Sequence, residues 1–498
     1  MKWLGQTLTC VCILLTFHSS LFATANAQTP QEEYEAWKRQ AQGNYNRYRQ
    51  QTIDDYQTFR KKANEEYAEF VKGAWAKVRP QPPRQAPEEP KPPQPLMAPH
   101  DKPVPPTPLP FKEMPPSPKP TPVPDVPIPE PAVPVERNIT LHYFGTKLQV
   151  REYGGEPIRL STLETENIAK AWNQLSDGSS DALLADCLKT KQTLSLSDWG
   201  YLMLLQQVAN AIAKGNEAVL LEHWLLAQSG YSSRMAVSGK GALQVWMPFD
   251  VPVYDHPYIV LDTSVFFLVT ENITGDDELR VLDHAFPGEN IACLRMRQRP
   301  ILEQKDCRQR TLTSKAYNSM SFSVTVNKNL IDYYNCYPHV SGCWDIYANA
   351  SLSDGVKRQL YPLLRKQLNG LGDKAKVERI LNWVQTAFEY KTDEEQFGGE
   401  RSLFADESLF YPYCDCEDRS ILFSILVRDL VGLEVVLLHF PGHLATAVKF
   451  KANVDGDYLD LDDGRYIVCD PTYINAPVGM AMPECKQQQA IVFELRKP

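Results

Sequence analysis

Between residues 79 and 136 the chain carries most of its 39 prolines, a density at which neither a helix nor a central strand can form. Each proline removes a backbone donor and fixes φ, so this stretch reads as a semi-rigid polyproline-rich spacer extending at about 3.1 Å per residue. A chain of 498 residues is too long for one core, and the spacer shows where it divides. Before it, Tyr34/Trp37, Tyr45/Tyr48, Tyr56/Phe59 and Tyr67/Phe70 form aromatic pairs that return every eleven residues, with Ala41, Thr52, Ala63 and Ala74 in step. Eleven residues over three turns keep one stripe in register along a long amphipathic helix, placed at 28–78, and favour slight right-handed supercoiling. The stripe wants a partner: self-association or surface docking is favoured over a fold back onto the globular part.

Residues 1–27 read as a secretory signal peptide, with Lys2, an apolar run around Leu8 to Phe17 and Ala25-Asn26-Ala27 as the cleavage site. The expectation is an exported protein, periplasmic or extracellular. No later segment reaches the roughly 18 apolar residues of a membrane span, so the mature chain is not expected to cross a bilayer. Nine cysteines remain after the signal, an odd number that leaves at least one thiol unpaired. In an oxidising compartment Cys336 with Cys343, then Cys293 with Cys307, are the disulfides that spacing suggests. The formal charge of −9, with no Lys/Arg block, argues against a nucleic-acid partner. Asn138, Asn272 and Asn349 begin Asn-x-Ser/Thr sites that matter only in a glycosylating host.

After the spacer, residues 137–350 read as a mixed α+β domain and 351–498 as a second α+β domain. In the second, Cys414-Asp415-Cys416-Glu417-Asp418-Arg419-Ser420 precedes Ile421, Leu422, Ile425, Leu426 and Leu430 at helical spacing, which puts Cys416 in a first helical turn. Unpaired N–H groups there favour a thiolate, whereas Glu417 and Asp418 oppose it; the sign of the net shift stays open. Gly442-His443-Leu444-Ala445 and Cys469-Asp470-Pro471-Thr472 then place a histidine and an aspartate on strand-like runs. Nucleophile, base and orienting carboxylate in this order are the parts of a Cys-His-Asp site.

These residues resemble the transglutaminase-like superfamily, including its bacterial cysteine peptidase branch, over about Ser351 to Pro498. The resemblance implies a papain/transglutaminase-like fold with Cys416 as nucleophile, His443 as base and Asp470 as the group orienting the imidazole, without cofactor or metal. It also implies a cysteine peptidase or amidase, or a protein-glutamine acyltransferase, acting on a protein or peptide through a thioester. Hydrolysis is favoured over amine transfer. Cys414 stands where the family usually has glycine, and Leu444-Ala445 replaces an aromatic. The alternative from another class is a non-catalytic binding or assembly scaffold at the cell surface.

Three further readings compete with bland ones. Cys414, Cys416, His443 and Cys469 have the ligand types of a Cys3His zinc site, but Cys-x-Cys is tight for one. Asp455, Asp457, Asp460, Asp462 and Asp463 read as exposed turn carboxylates, with Asp463-Gly464 as a hairpin turn, rather than as calcium ligands. Finally, the order Asn216 to Leu221, Ser229 to Tyr231, Ala242 to Val245 and Tyr258 to Thr263 parallels the segment from Cys416 through Asp470. It puts Asn216 at the cysteine position and no histidine at the base position, which reads either as a degenerate transglutaminase-like copy or as an accidental match.

Overall fold

A computed structural model describes residues 30–86, 91, 94–99, 105–114, 126–127, 137–270, 278–305, 308–340 and 342–498. The expected signal peptide, Asn272 and Cys307 lie outside them. The helix Pro30–Lys72 begins in a unit that ends at Asp55, where Tyr34, Trp37, Tyr45 and Tyr48 are all exposed. The rings of Tyr34 and Trp37 stack with centroids 6.1 Å apart. From Tyr56 onward the chain forms a second unit, and there the stripe is partly buried: Ala63 and Tyr67, with their neighbours Ala68 and Val71, are inaccessible, whereas Phe59 and Phe70 stay exposed. The Tyr67 hydroxyl meets His223 Nε2 at 2.9 Å, and Arg60 bonds Asp181 and Gln228. Around Ala63 and Tyr67 the partner of the stripe is therefore the chain's own body, which covers those side chains.

The body is α+β. Its described strands are β1 (Ala76–Val78), β2 (Phe111–Glu113), the hairpin β3 (Asn138–Tyr143) and β4 (Thr146–Arg151), β5 (Arg234–Val237), β6 (Leu243–Met247), β7 (Tyr258–Leu261), β8 (Ser264–Leu268) and β9 (Leu279–Val281). Then come the hairpin β10 (Arg308–Thr313) and β11 (Ser321–Val326), β12 (Glu434–Phe440), β13 (His443–Lys449), β14 (Tyr458–Leu461), β15 (Gly464–Cys469) and β16 (Ala490–Glu494). Two six-stranded sheets result, ordered β1-β9-β5-β6-β8-β7 and β2-β16-β12-β13-β15-β14. Position by position the orders correspond. Each central pair follows a buried helix, Asn216–Gln228 before β5 and Cys416–Val431 before β12. Only the edge pairings differ in sense, β1 on β9 being antiparallel and β2 on β16 parallel.

Strand β2 comes from the segment expected to be a free spacer, and β1 from the last residues assigned to the long helix, which ends at Lys72; both expectations are corrected. Gln81 bridges Tyr258, the Ala98 N–H donates to Ile474 O at 2.8 Å, and that of Leu109 donates to Tyr458 O at 2.8 Å. Ala98 and Leu109 are buried with Val436, Leu438 and Phe440 on the second sheet's outer face. Proline is tolerated at sheet edges, and the residues between prolines supply the donors. Leu109→Ala should therefore cost about 2–4 kcal/mol in urea unfolding. An unchanged midpoint would restore the spacer.

A boundary at 350 does not separate two cores. One buried cluster runs from Ala63 to Phe493, and the β10–β11 hairpin belongs with the later helices. The Trp383 indole donates to Leu312 O at 3.3 Å, and Gln359 donates to Thr325 O at 3.0 Å. The expected disulfide between Cys336 and Cys343 is not formed here, since Cys343 is unbridged, as is Cys293. Asp457 departs from the turn reading: it is buried, accepting from the Ala481 N–H and from Lys486. The turn itself is Asp462-Asp463, Gly464 being the first residue of β15.

Candidate active site

Cys416 is the first residue of the helix Cys416–Val431, capped by Asp415, whose N–H bonds the Asp418 carboxylate. His443 opens β13, and Asp470 directly follows β15, the strand paired with β13. The pairing brings His443 Nε2 to 2.8 Å from Asp470 Oδ2. Asp470 Oδ1 accepts the N–H groups of Thr472 and Tyr473 at 2.9 and 3.0 Å, so both carboxylate oxygens are committed. A carboxylate at Nε2 keeps the ring proton there and leaves Nδ1 as the acceptor.

Side chains that sequence reasoning missed hold these elements together. The Ser420 hydroxyl donates to Leu444 O at 2.8 Å, tying the nucleophile helix to the residue after His443. Arg419 is buried and donates to Gln385 O and Phe388 O at 3.1 and 3.0 Å. Gln385 in turn donates to the carbonyls of Asp470, Tyr473 and Ala476 at 2.9, 2.9 and 3.1 Å. A glutamine beside the apolar residues Val384, Trp383 and Ile380 was the available signal, because a buried amide must find partners.

The thiol is only 2 % exposed and donates to Glu417 Oε2 at 3.2 Å rather than to His443. Burial pushes its pKa well above the usual thiol range, Glu417 and Asp415 push the same way, and Lys91 and the Leu444 N–H pull against them. The open question of sign is thus decided toward the neutral thiol, since two adjacent carboxyls in a dry site outweigh the helix end. Glu417→Gln removes the nearest negative charge, so half-maximal iodoacetamide alkylation of Cys416 should move down by roughly one pH unit. A profile that stays in place would mean that burial alone sets the thiol.

Lys91, from the proline-rich segment, is inserted beside this group. Its ammonium lies 2.7 Å from Glu400, 2.9 Å from Asp415, 2.5 Å from Glu417 and 3.7 Å from Asp393. Burial pushes Glu417 up, but Lys91 and hydrogen bonds from Asp415 and Glu400 hold it well below the usual carboxylate range. Burial and then Glu417 raise Asp393 and Asp415, while burial, Asp415 and Glu417 raise Asp418. Glu400 is pushed up to about 7 by burial and by Glu417. Lys91 thus favours the ionised form at Glu417, whereas burial and the neighbouring carboxyls disfavour it at Asp393, Asp415 and Asp418. Asp393, Glu400 and Glu417 lie close enough to hold a metal ion, as do Asp393, Asp415 and Asp418. The Cys3His set does not converge: His443 is taken by Asp470, and Cys469 Sγ faces Ile467 O at 3.7 Å.

The other sheet repeats the plan without the chemistry. Asn216 opens its helix, and its Oδ1 accepts the Leu243 N–H at 2.8 Å, as Leu444 faces Cys416. By that register Ala242 stands where His443 does. Val269 bonds Val245 as Cys469 pairs with Thr446, which puts Thr270 at the place of Asp470. Comparison with known proteins adds no constraint: no protein-family model, no curated protein and no solved structure matches the chain.

Proposed function

We propose that this chain is an exported cysteine enzyme with a papain/transglutaminase-like C-terminal domain, acting on amide or peptide bonds through a thioester. The observation that carries the reading is the His443–Asp470 pair at 2.8 Å, with His443 on the strand that packs against the helix Cys416 begins. His443 Nδ1 takes the thiol proton, and sulfur attacks the carbonyl carbon. The Cys416 backbone N–H at the helix terminus helps to stabilise the oxyanion. The imidazolium returns the proton to the leaving amine, and Asp470 holds the ring in the tautomer that permits this. Water then resolves the thioester; hydrolysis is favoured over amine transfer because the motif resembles the peptidase branch more closely.

A specific observation favours the second reading, a non-catalytic scaffold: the thiol is buried and engaged with Glu417. A thiol-directed amide-hydrolase probe separates the two. On the catalytic reading it labels Cys416 alone in folded protein, and label and amine release share one pH profile. Absence of label at Cys416, with other thiols reacting normally, leaves the scaffold.

A further inference from the structure

A lysine drawn out of a proline-rich segment into a buried group of carboxylates calls for a reason, since desolvating so many charges is costly and Lys91 could remain in water. The cup has a built geometry. Glu400, Asp415 and Glu417 each bond the ammonium, and two of these residues flank the nucleophile in sequence. Asp415 is fully buried, and its Oδ1 has no hydrogen-bond partner, so the cup has spare acceptor capacity for a cation with more donors than a lysine. The lysine arrives in the sequence Glu89-Pro90-Lys91-Pro92-Pro93, so the bond on its carboxyl side is to a proline nitrogen and has no N–H. An ammonium held by carboxylates stays protonated, so it is recognised as a cation and does not attack as an amine.

We propose that the cup formed by Asp393, Glu400, Asp415 and Glu417 is a subsite for the lysine or arginine side chain of a peptide substrate, and that Lys91 fills it in cis as a substrate mimic. The inference rests on the catalytic reading for the word substrate, but the binding it asserts is independent of turnover. Peptides presenting a basic side chain are the substrate class, and the chain's own segment competes with them for the same carboxylates.

The test uses the full mature chain with Lys91→Met, which keeps the apolar stem and removes the cation. A fluorescein-labelled Glu-Glu-Pro-Lys-Pro-Pro peptide should bind this variant at least about tenfold tighter than it binds wild type, by anisotropy. The same peptide with norleucine for lysine should not bind. Glu400→Gln in the Lys91→Met background should weaken the lysine peptide by about tenfold. If Lys91→Met does not fold by circular dichroism, the double variant Lys91→Met/Asp393→Asn, which removes with the cation the carboxylate farthest from it, replaces it. Equal binding of both peptides, or binding of neither, overturns the subsite. So does calcium chloride stabilising Lys91→Met while the lysine peptide leaves it unchanged, which would make the cup a metal site. Selective lysine binding without amide turnover in any variant supports the subsite and removes the catalytic reading. Turnover indifferent to a lysine in the peptide does the reverse.

Discussion

Cys416→Ser should lower amine release from a peptide or carboxamide substrate by about four to six orders of magnitude, the range seen when a covalent nucleophile is removed. The hydroxyl is nearly the size of the thiol, and Cys416 is packed among buried residues without bridging to another cysteine, so the melting temperature should hardly move. What changes is acidity. The site already disfavours the anion through burial, Glu417 and Asp415, and a hydroxyl there has no accessible anionic form. Release of ammonia or peptide amine, with thermal unfolding measured on the same samples, checks both halves. Equal activity in variant and wild type would end the catalytic proposal and leave a binding module.

Asp470→Asn is expected to cost roughly three to four orders of magnitude in kcat, more than an isosteric change suggests. The reason lies in the surrounding hydrogen bonds. The N–H groups of Thr472 and Tyr473 both donate to Oδ1, so an amide at this position must put its oxygen there and turn its NH2 toward His443 Nε2. Nε2 then becomes the acceptor and the proton moves to Nδ1, the nitrogen that must receive the thiol proton. Nitrogen-15 shifts of the His443 ring should report this reversed tautomer, while stability changes little. A variant that keeps the Nε2–H tautomer and full kcat would show that Asp470 has only a structural role.

The local elements that carry the chemistry are legible in their own residues. Helical spacing after Cys416 put the cysteine in the first turn of a helix that runs Cys416–Val431, and the strand-like run at His443 is β13. These are short-range consequences of periodicity and capping, written in neighbouring residues. The parallel drawn from Asn216 was visible in the same way, but only strand order and the Leu243 bond show how the two sheets correspond.

What surrounds those elements depends on contacts between residues far apart in the chain. Periodicity shows that the stripe through Ala63 and Tyr67 must be buried, but not against what, and the covering groups come from residues more than a hundred positions away. Proline content says where regular structure cannot form, yet says nothing of edge pairing, so Leu109 and Phe111 read as spacer and pack as sheet. The state of the thiol was undecidable for the same reason. A helix N-terminus, a neighbouring carboxylate and burial each act on Cys416, and their balance depends on how much water the fold excludes and on Lys91 arriving from 325 residues away. Electrostatic energies depend on distance and dielectric, which only the packed chain defines.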